Sequence, residues 1–490
     1  GGFGWIKQQF PWESLEKSPG RFWDDRYNVS TWDKFDYIVD KAAQYGLQVI
    51  ARLDRPPDWA RDPDTTPRTP PKDLAAYGQY VYEVAKHFKG RVRCYQIWNE
   101  PNLTEEWGNK PVDPAAYVAM LKVAYQEIKR ADPDARVLSA PLAQTVEQNP
   151  AHMADYAYLE EMYKDGAKDY FDILFANAYG FSLPPEDPPS PDVLNFSRVL
   201  LQRAVMEKYG DGDKPVWFNE FGWNASPPDM PANQILWGRV SEEQQAEYTV
   251  RAVQMARQDW PWAGVFNVWF FRQNGQQYAP DNSEYYFRMV DFYFTPRLAY
   301  RAIGEAARPF ATAGPGRYQE TNPALVPGGS WQYTIDDKAE LGGLITSESV
   351  GDNLTFTFYG TGISLLANTD NTGGRLIVSL DDNGVVGLPK DVSGRSYVDL
   401  YSENPVRDVV VPLAEGLRLG THKIEVTVAA ERHPQSTGRR VAVDGFTVEE
   451  EAFFPWPEVA AGALAFAALL GIVVWYRRRE SPRQASGNNA

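Results

Sequence analysis

Two glutamates stand where they could do chemistry. Glu100 lies in Tyr95-Gln96-Ile97-Trp98-Asn99-Glu100-Pro101-Asn102, and Glu220 in Pro215-Val216-Trp217-Phe218-Asn219-Glu220-Phe221-Gly222-Trp223. Each ends a short run of apolar, aromatic and β-branched residues closed by a turn signal, which reads as the C-terminal end of a buried strand. An ionisable group is costly there unless it is paired or used. Paired carboxylates at strand C-termini suit the cleavage of a glycosidic bond, one protonating the leaving oxygen and the other attacking the sugar carbon. A single such Glu is more often a salt-bridge partner. Two of them, both written Asn-Glu and both flanked by tryptophan, favour catalysis. Tryptophan and tyrosine supply flat apolar faces for a pyranose, and the chain has 16 Trp and 27 Tyr. Trp32 and Trp262 are expected to be core fillers.

The elements that must position these residues repeat from residue 1 to about 311. Strand-like runs are Phe3 to Gln9, Leu47 to Asp54, Val92 to Asn99, Arg136 to Pro141, Phe171 to Tyr179, Val216 to Asn219 and Gly264 to Phe271. Between them fall amphipathic stretches, Trp32 to Tyr45, Lys72 to Phe88, Asp113 to Ala131, Asn195 to Tyr209 and Ser241 to Trp260, the last opened by a capping-box pattern, Ser241-Glu242-Glu243-Gln244. This alternation predicts parallel βα units in an α/β fold, a (β/α)8 TIM barrel. A closed barrel needs eight strands and only seven can be counted, so the first is expected to be missing. On that count Glu100 ends the fourth strand and Glu220 the seventh.

Residues 312–316, Thr312-Ala313-Gly314-Pro315-Gly316, read as a linker, and 317–450 as an all-β sandwich of alternating strands such as Leu354 to Tyr359 and Lys423 to Val428. Further on, Val459 to Tyr476 carries no charge, spans ~27 Å as a helix, is flanked by Phe453, Phe454, Trp456, Trp475 and Tyr476, and is followed by Arg477-Arg478-Arg479. The expectation is one transmembrane helix over 459–476 and a cytoplasmic tail over 477–490, with both folded domains outside the cell membrane. A cleaved sorting signal or a packed C-terminal helix are the alternatives. Gly1 to Phe10 lacks an initiator methionine and already reads as a strand. The chain is therefore expected to be truncated at its N-terminus, the export signal lying in the missing part.

The whole chain has 490 residues, 43% of them hydrophobic and 23% charged, with net charge −16. That balance argues against a nucleic-acid partner, which needs clustered Lys and Arg. Cys94 is the lone cysteine and is expected to be a small buried hydrophobe. His87, His152, His422 and His433 lack metal-ligand spacing, so no metal or other cofactor is expected. The sequence carries no signal for oligomeric state.

Ile97-Trp98-Asn99-Glu100-Pro101-Asn102-Leu103 and Asn219-Glu220-Phe221-Gly222, in this order and spacing, resemble clan A glycoside hydrolases, most closely families 39 and 5. The resemblance implies an O-glycosidase with no cofactor, Glu100 as acid/base and Glu220 as nucleophile. It implies that Asn99 holds the 2-hydroxyl of the sugar, that Tyr179 hydrogen-bonds the nucleophile, and that Trp269 forms the platform of the glycone subsite. Asn177-Ala178-Tyr179 looks like the clan's His-x-Tyr with Asn177 in place of His. Asn219 stands where family 39 tends to have Thr, and Phe221-Gly222-Trp223 looks more like family 5. Residues 317–450 resemble the jelly-roll modules attached to such enzymes, some carbohydrate-binding and some only spacers.

The implied reaction is retaining, by double displacement on an extracellular β-linked poly- or oligosaccharide. Trp98, Trp107 and Trp217 are the candidate apolar walls that would keep Glu100 protonated, the first two also being candidate sugar contacts. Lys7, Gln9, Arg52 and Asp54, which end strands at the mouth, and Trp59, which follows Pro56-Pro57 in a loop over it, are candidate contacts to the sugar. For Arg52 and Asp54 a buried ion pair is an equal reading. Glu105 and Glu106 read as a solvated loop pair. The expected partners are carbohydrate and, through 459–476, the membrane. A cell-surface transglycosidase and a catalytically inactive, membrane-anchored glycan-binding protein remain as alternatives.

Overall fold

The computed structural model describes residues 2–450 apart from 274, 276–278, 309, 310, 337, 338, 340 and 341. The alternation in the first part of the chain folds into seven parallel strands: β1 (Trp5–Pro11), β2 (Gln48–Asp54), β3 (Cys94–Ile97), β4 (Arg136–Leu138), β5 (Leu174–Tyr179), β6 (Val216–Gly222) and β7 (Ala263–Val268). β1 to β4 pair in sequence order, as do β5 to β7, and a parallel bridge from Leu138 to Ile173 joins the two sets. Among the described residues no hydrogen-bonded pairing joins β7 to β1, and the eighth strand of a closed barrel is not among them.

Helices α1 (Trp12–Leu15), α2 (Asp33–Gln44), α3 (Leu74–His87), α4 (Pro114–Ala131), α5 (Asp155–Lys164), α6 (Val199–Lys208), α7 (Glu242–Asp259) and α8 (Leu298–Ala307) connect and flank the strands. Their starts follow from side-chain caps: Asp73 and Asp113 accept from the first-turn amides of α3 and α4, and Ser241 and Gln244 form the reciprocal box at α7. Between strands and helices lies the main apolar core, including Phe10, Val81, Tyr117, Leu121, Phe218 and Phe221. Trp32 stacks between Phe22 and His87, and Trp262 stacks on Trp260, so both pack as fillers.

Strand alternation fixes what faces the barrel axis. Trp5, Ile50, Cys94, Phe175, Trp217 and Val265 form a separate apolar cluster, the barrel floor, with the Trp5 and Trp217 rings 5.0 Å apart. Trp217, expected near Glu100 as a wall, is part of this floor instead. Cys94 is a buried thiol within it, and burial pushes its pKa up to about 12. Two residues further along the same strands stand Lys7, Arg52, Gln96, Asn177 and Asn219. The period of two therefore turns an apolar floor into a polar layer one step nearer the strand C-termini.

Beyond α8, strands between Gly316–Gln319 and Val441–Glu449 form two antiparallel sheets of six strands each. One follows Gln332–Ile335, Gly343–Ser347, Val441–Glu449, Gly362–Thr369 and Val406–Ala414, with Gly316–Gln319 also on Val441–Glu449; the other follows Leu325–Gly328, Asn353–Gly360, Gly420–Val428, Arg375–Leu380 and Asn383–Gly384, with Tyr397–Asp399 also on Arg375–Leu380. Their inward faces meet in a second core, where the Phe356 and Phe446 rings stack at 4.7 Å. The sandwich touches the barrel at Gly46, whose φ is 67°. A Cβ there would lie 1.9 Å from the Tyr318 hydroxyl, so only glycine permits this approach.

The expected transmembrane helix over 459–476 and tail over 477–490 lie outside the described residues. Among the described residues no helix is long and apolar enough to cross a membrane.

Candidate active site

The backbone departs from regular structure at both glutamates. β3 stops at Ile97, before the expected end, because Trp98 and Glu100 both take left-handed conformations, with φ 70° and 45°. This turn swings Glu100 over the strand ends, where its amide donates to Pro141 O at 2.9 Å. Such conformations cost about 1 to 3 kcal/mol each and persist only where the surroundings impose them.

β6 instead runs past Glu220 to Gly222, further than the expected Asn219. The β5–β6 register pairs Ala176 with Phe218 and Asn177 with Glu220, leaving Asn219 as an extra, unpaired residue. Regular alternation would send Asn219 and Glu220 to opposite faces of the sheet. The bulge breaks the alternation and lets both side chains reach one ligand. That ligand is Lys7, whose Nζ donates to Asn219 Oδ1 at 2.8 Å and to Glu220 Oε1 at 2.7 Å.

A continuous hydrogen-bonded chain links the two glutamates. Asn177 Nδ2 donates to Glu100 Oε1 at 2.6 Å, Asn219 Nδ2 donates to Asn177 Oδ1 at 2.7 Å, and Lys7 completes the path to Glu220. The Tyr179 hydroxyl donates to the second oxygen, Glu220 Oε2, at 2.8 Å. Asn99 Nδ2 lies 3.4 Å from Glu100 Oε2 and its Oδ1 accepts from Gln96. Asn177 thus donates to Glu100 as a neutral amide, where the resemblance would place a titratable imidazole.

The two carboxyls are driven to opposite protonation states. Burial, then the charge of Glu220 and that of Glu106, push Glu100 up to about 8, against the opposing charges of Arg52 and Lys7. Burial acts on Glu220 in the same direction, but the Lys7 charge, the hydrogen bonds from Lys7 and Tyr179, and Arg52 outweigh it. Glu220 is held below the ordinary carboxylate value. Burial lowers the Lys7 pKa, with Glu220 opposing.

This pattern fixes a pH profile. Protonated Glu100 with ionised Glu220 is the populated state from the depressed Glu220 value up to about 8. Plotted as kcat/KM, activity is expected to hold across neutral pH and to fall above about 8 as Glu100 loses its proton. Glu100→Gln should abolish that alkaline limb on substrates whose leaving groups need no protonation. An alkaline limb that survives in this variant would assign the titration to another group.

The remaining candidates divide. Trp269, just beyond β7, has its ring centroid 5.8 Å from Lys7 Nζ, which brings it to the Lys7–Glu220 side of the site. Arg52 and Asp54 pair with each other at 2.5 Å, and Gln9 Nε2 donates to Asp54 at 2.8 Å, so this trio is a buffered ion pair beside Lys7. Trp98 and Trp107 do not offer sugar-binding faces. They are 2% and 3% exposed, pack edge to face at 5.9 Å, and form part of the core. Trp59, half-buried, packs edge to face on Trp12 at 5.3 Å. Glu105 is an exposed loop charge, but Glu106 is not: its side chain is 15% exposed, it pairs with Arg68 at 2.8 Å, and its charge reaches Glu100. The reason is the short helical turn Thr104–Glu106, which points adjacent side chains in different directions.

Residues not anticipated as site members are Asn219 in its bridging role, Gln96, and Trp237, whose ring lies 4.5 Å from that of Tyr179. The bulge that recruits Asn219 has no sequence signature beyond polar residues on consecutive positions of an apolar strand. Among the described residues no group of three or more His, Cys, Asp or Glu is placed to hold a metal ion.

A parallel β/α barrel carrying two oppositely poised glutamates at its strand C-termini is the class of protein that fold and site define. No protein-family model matches the chain. A curated beta-xylosidase of Caldicellulosiruptor saccharolyticus is 24% identical over 309 residues, which cover 57% of this chain and 57% of that protein. The chain thus spans little more than half the length of the curated relative it matches. Solved structures similar to it include a family 39 glycoside hydrolase from Bacteroides cellulosilyticus WH2, 18% identical with TM-score 0.47, covering 87% of this chain and 75% of that one. Another is a monomeric beta-xylosidase from Caulobacter crescentus CB15, 17% identical with TM-score 0.45, covering 88% and 90%.

Proposed function

We propose that the chain is a retaining glycosidase of β-linked oligo- or polysaccharides, with Glu220 as nucleophile and Glu100 as acid/base. The observation that carries this reading is the opposed poise of two carboxyls within one hydrogen-bonded network. In the first step a lone pair of the Glu220 carboxylate attacks the anomeric carbon. The bond to the leaving oxygen breaks, and that oxygen takes the Glu100 proton. In the second, water attacks the same carbon, Glu100 takes its proton, and the ester to Glu220 breaks. Asn99 is the candidate ligand of the 2-hydroxyl and Trp269 of the first sugar's apolar face. The similarity to a beta-xylosidase makes β-pentosides the first substrates to test. Membrane anchoring through 459–476, with the barrel and sandwich outside, belongs to the same proposal and is supported by the charge-free run and the arginines that follow it.

The test is peptide mapping of the protein after incubation with activated 2-deoxy-2-fluoro pentosides and hexosides. A stable glycosyl adduct on Glu220, with retained product configuration by NMR on the unfluorinated sugar, is the expected result. An adduct on another residue, or inverted product, would sink the reading.

A further inference from the structure

Tryptophans around the site are mostly buried, Trp98, Trp12 and Trp223 among them. Trp237 is 38% exposed. It stands on the segment between β6 and α7, with φ 59°, in the left-handed region that bulky residues adopt only under constraint. The constraint is visible one residue earlier. The Leu236 amide donates to Ser283 Oγ at 2.8 Å, and Asn224 Nδ2 donates to Leu236 O at 3.2 Å and to Ser283 O at 3.1 Å. Asn224 and Ser283 are both buried, so the chain is bolted to the scaffold where it presents the indole. An exposed aromatic on an imposed backbone conformation is an arrangement that folding alone does not require.

Its surroundings identify its use. The indole ring lies 4.5 Å from the Tyr179 ring, 5.8 Å from Phe287 and 6.3 Å from Phe181. Tyr179 reaches Glu220 through its hydroxyl. A single tyrosine ring therefore separates Trp237 from the nucleophile. Trp269 already stands at Lys7, against the countercharge of Glu220, where the proposed mechanism places the cleaved sugar. A ring stacked on Trp237 would be displaced from that position by the width of Tyr179.

We propose that Trp237, with Phe181 beside it, is the stacking platform for a second sugar ring, the neighbour of the one whose bond is cleaved. The inference rests on the glycosidase reading and deepens it: the substrate carries at least two rings, and Trp237 sets the preference for it. The ligand is a neutral pyranose presenting its C–H face to the indole.

The experiment compares the full chain with Trp237→Ala and Trp237→Phe on two probes. One is a 2-deoxy-2-fluoro glycosyl fluoride, whose leaving group is a single atom; the other is xylotriose or cellotriose, whichever matches the glycone that labels. In Trp237→Ala, the loss of kcat/KM on the trisaccharide is expected to exceed the loss in labelling rate by about tenfold, the size of one aromatic stacking contact. Trp237→Phe should recover most of it. Equal losses on both probes, or no loss on the trisaccharide, would overturn the platform. Should the parent protein neither label nor turn over any probe, the glycosidase reading fails separately. Calorimetric titration with the same trisaccharides then decides: weaker binding by Trp237→Ala supports the platform, while equal or absent binding by the parent overturns it.

Discussion

Glu220→Ala is expected to reduce kcat on the best activated aryl glycoside by about 10⁴-fold or more, the scale on which removing a nucleophile from a preorganised site acts. The loss should arise in the chemical step, because the binding surfaces are carried by other residues. Added azide should restore turnover in this variant. It fits the space of the missing carboxylate, needs no proton removed, and attacks the same carbon, giving a glycosyl azide of configuration opposite to the substrate. Glu100→Ala is the contrast. There Glu220 still attacks, azide intercepts the ester from the other side, and the glycosyl azide retains configuration. The two products, read by NMR, assign the two roles independently of any rate. Identical stereochemistry from both variants, or residual activity within a hundredfold of the parent for Glu220→Ala, would be incompatible with the assignment.

What could be read from the sequence was whatever depends on local pattern. Strands that are buried on both faces read as apolar runs, and helices opened by Asp73, Asp113 and Ser241 announce their starts through side-chain chemistry. Three helices, α1, α5 and α8, fall outside the amphipathic stretches read from the sequence. α5 buries Tyr158, Leu159, Met162 and Tyr163, so tyrosines stand where an aliphatic stripe would be counted. α8 buries fully only Ala299 and lacks a side-chain cap. In the site, Glu100, Glu220 and Lys7 could be singled out because they end strand-like runs, and Asn177 and Tyr179 because Asn177-Ala178-Tyr179 resembles the clan's His-x-Tyr.

The partners they take up could not be read in this way, since each contact joins residues far apart in the chain. Lys7 to Glu220 spans 213 positions and Asn177 to Glu100 spans 77. The burial of Trp98 and Trp107 is of the same kind. Tryptophan near a catalytic motif serves equally as a sugar face or as packing, and only the left-handed turn at Trp98 decides that the ring goes into the core. Trp237 shows the converse. It lies in a segment, Asn224 to Val240, with three prolines, one glycine and no periodicity, and hydrogen bonds from Asn224 and to Ser283 at Leu236 fix its place in space.

Lys7→Met should be the most disruptive single change outside the glutamates. The Lys7 and Glu220 side chains are 14% and 11% exposed and 2.7 Å apart, so the variant leaves a carboxylate in the barrel with its principal countercharge gone. Removing one partner of such a pair costs about 3 to 5 kcal/mol, and Arg52, still in reach of Glu220, argues for the lower end. The pH dependence carries the sign of the effect. In the parent the Glu220 pKa is lowered on folding. Its contribution to stability is thus present above the ordinary carboxylate value and lost as pH falls through the depressed one. Without Lys7 the largest contribution opposing burial is gone, so the folded pKa of Glu220 lies higher than in the parent. The two proteins then differ least in acid, where Glu220 is protonated, and most where it is ionised. The stability gap between parent and variant, measured by denaturant titration, is therefore expected to widen from pH 4 to pH 7. The acid limb of kcat/KM should move to higher pH over the same range. Combining Lys7→Met with Glu220→Gln removes the stranded charge and should recover part of the lost stability, though none of the activity. A Lys7→Met protein as stable as the parent at pH 7, with its acid limb unmoved, would mean that Lys7 does not set the charge state of Glu220.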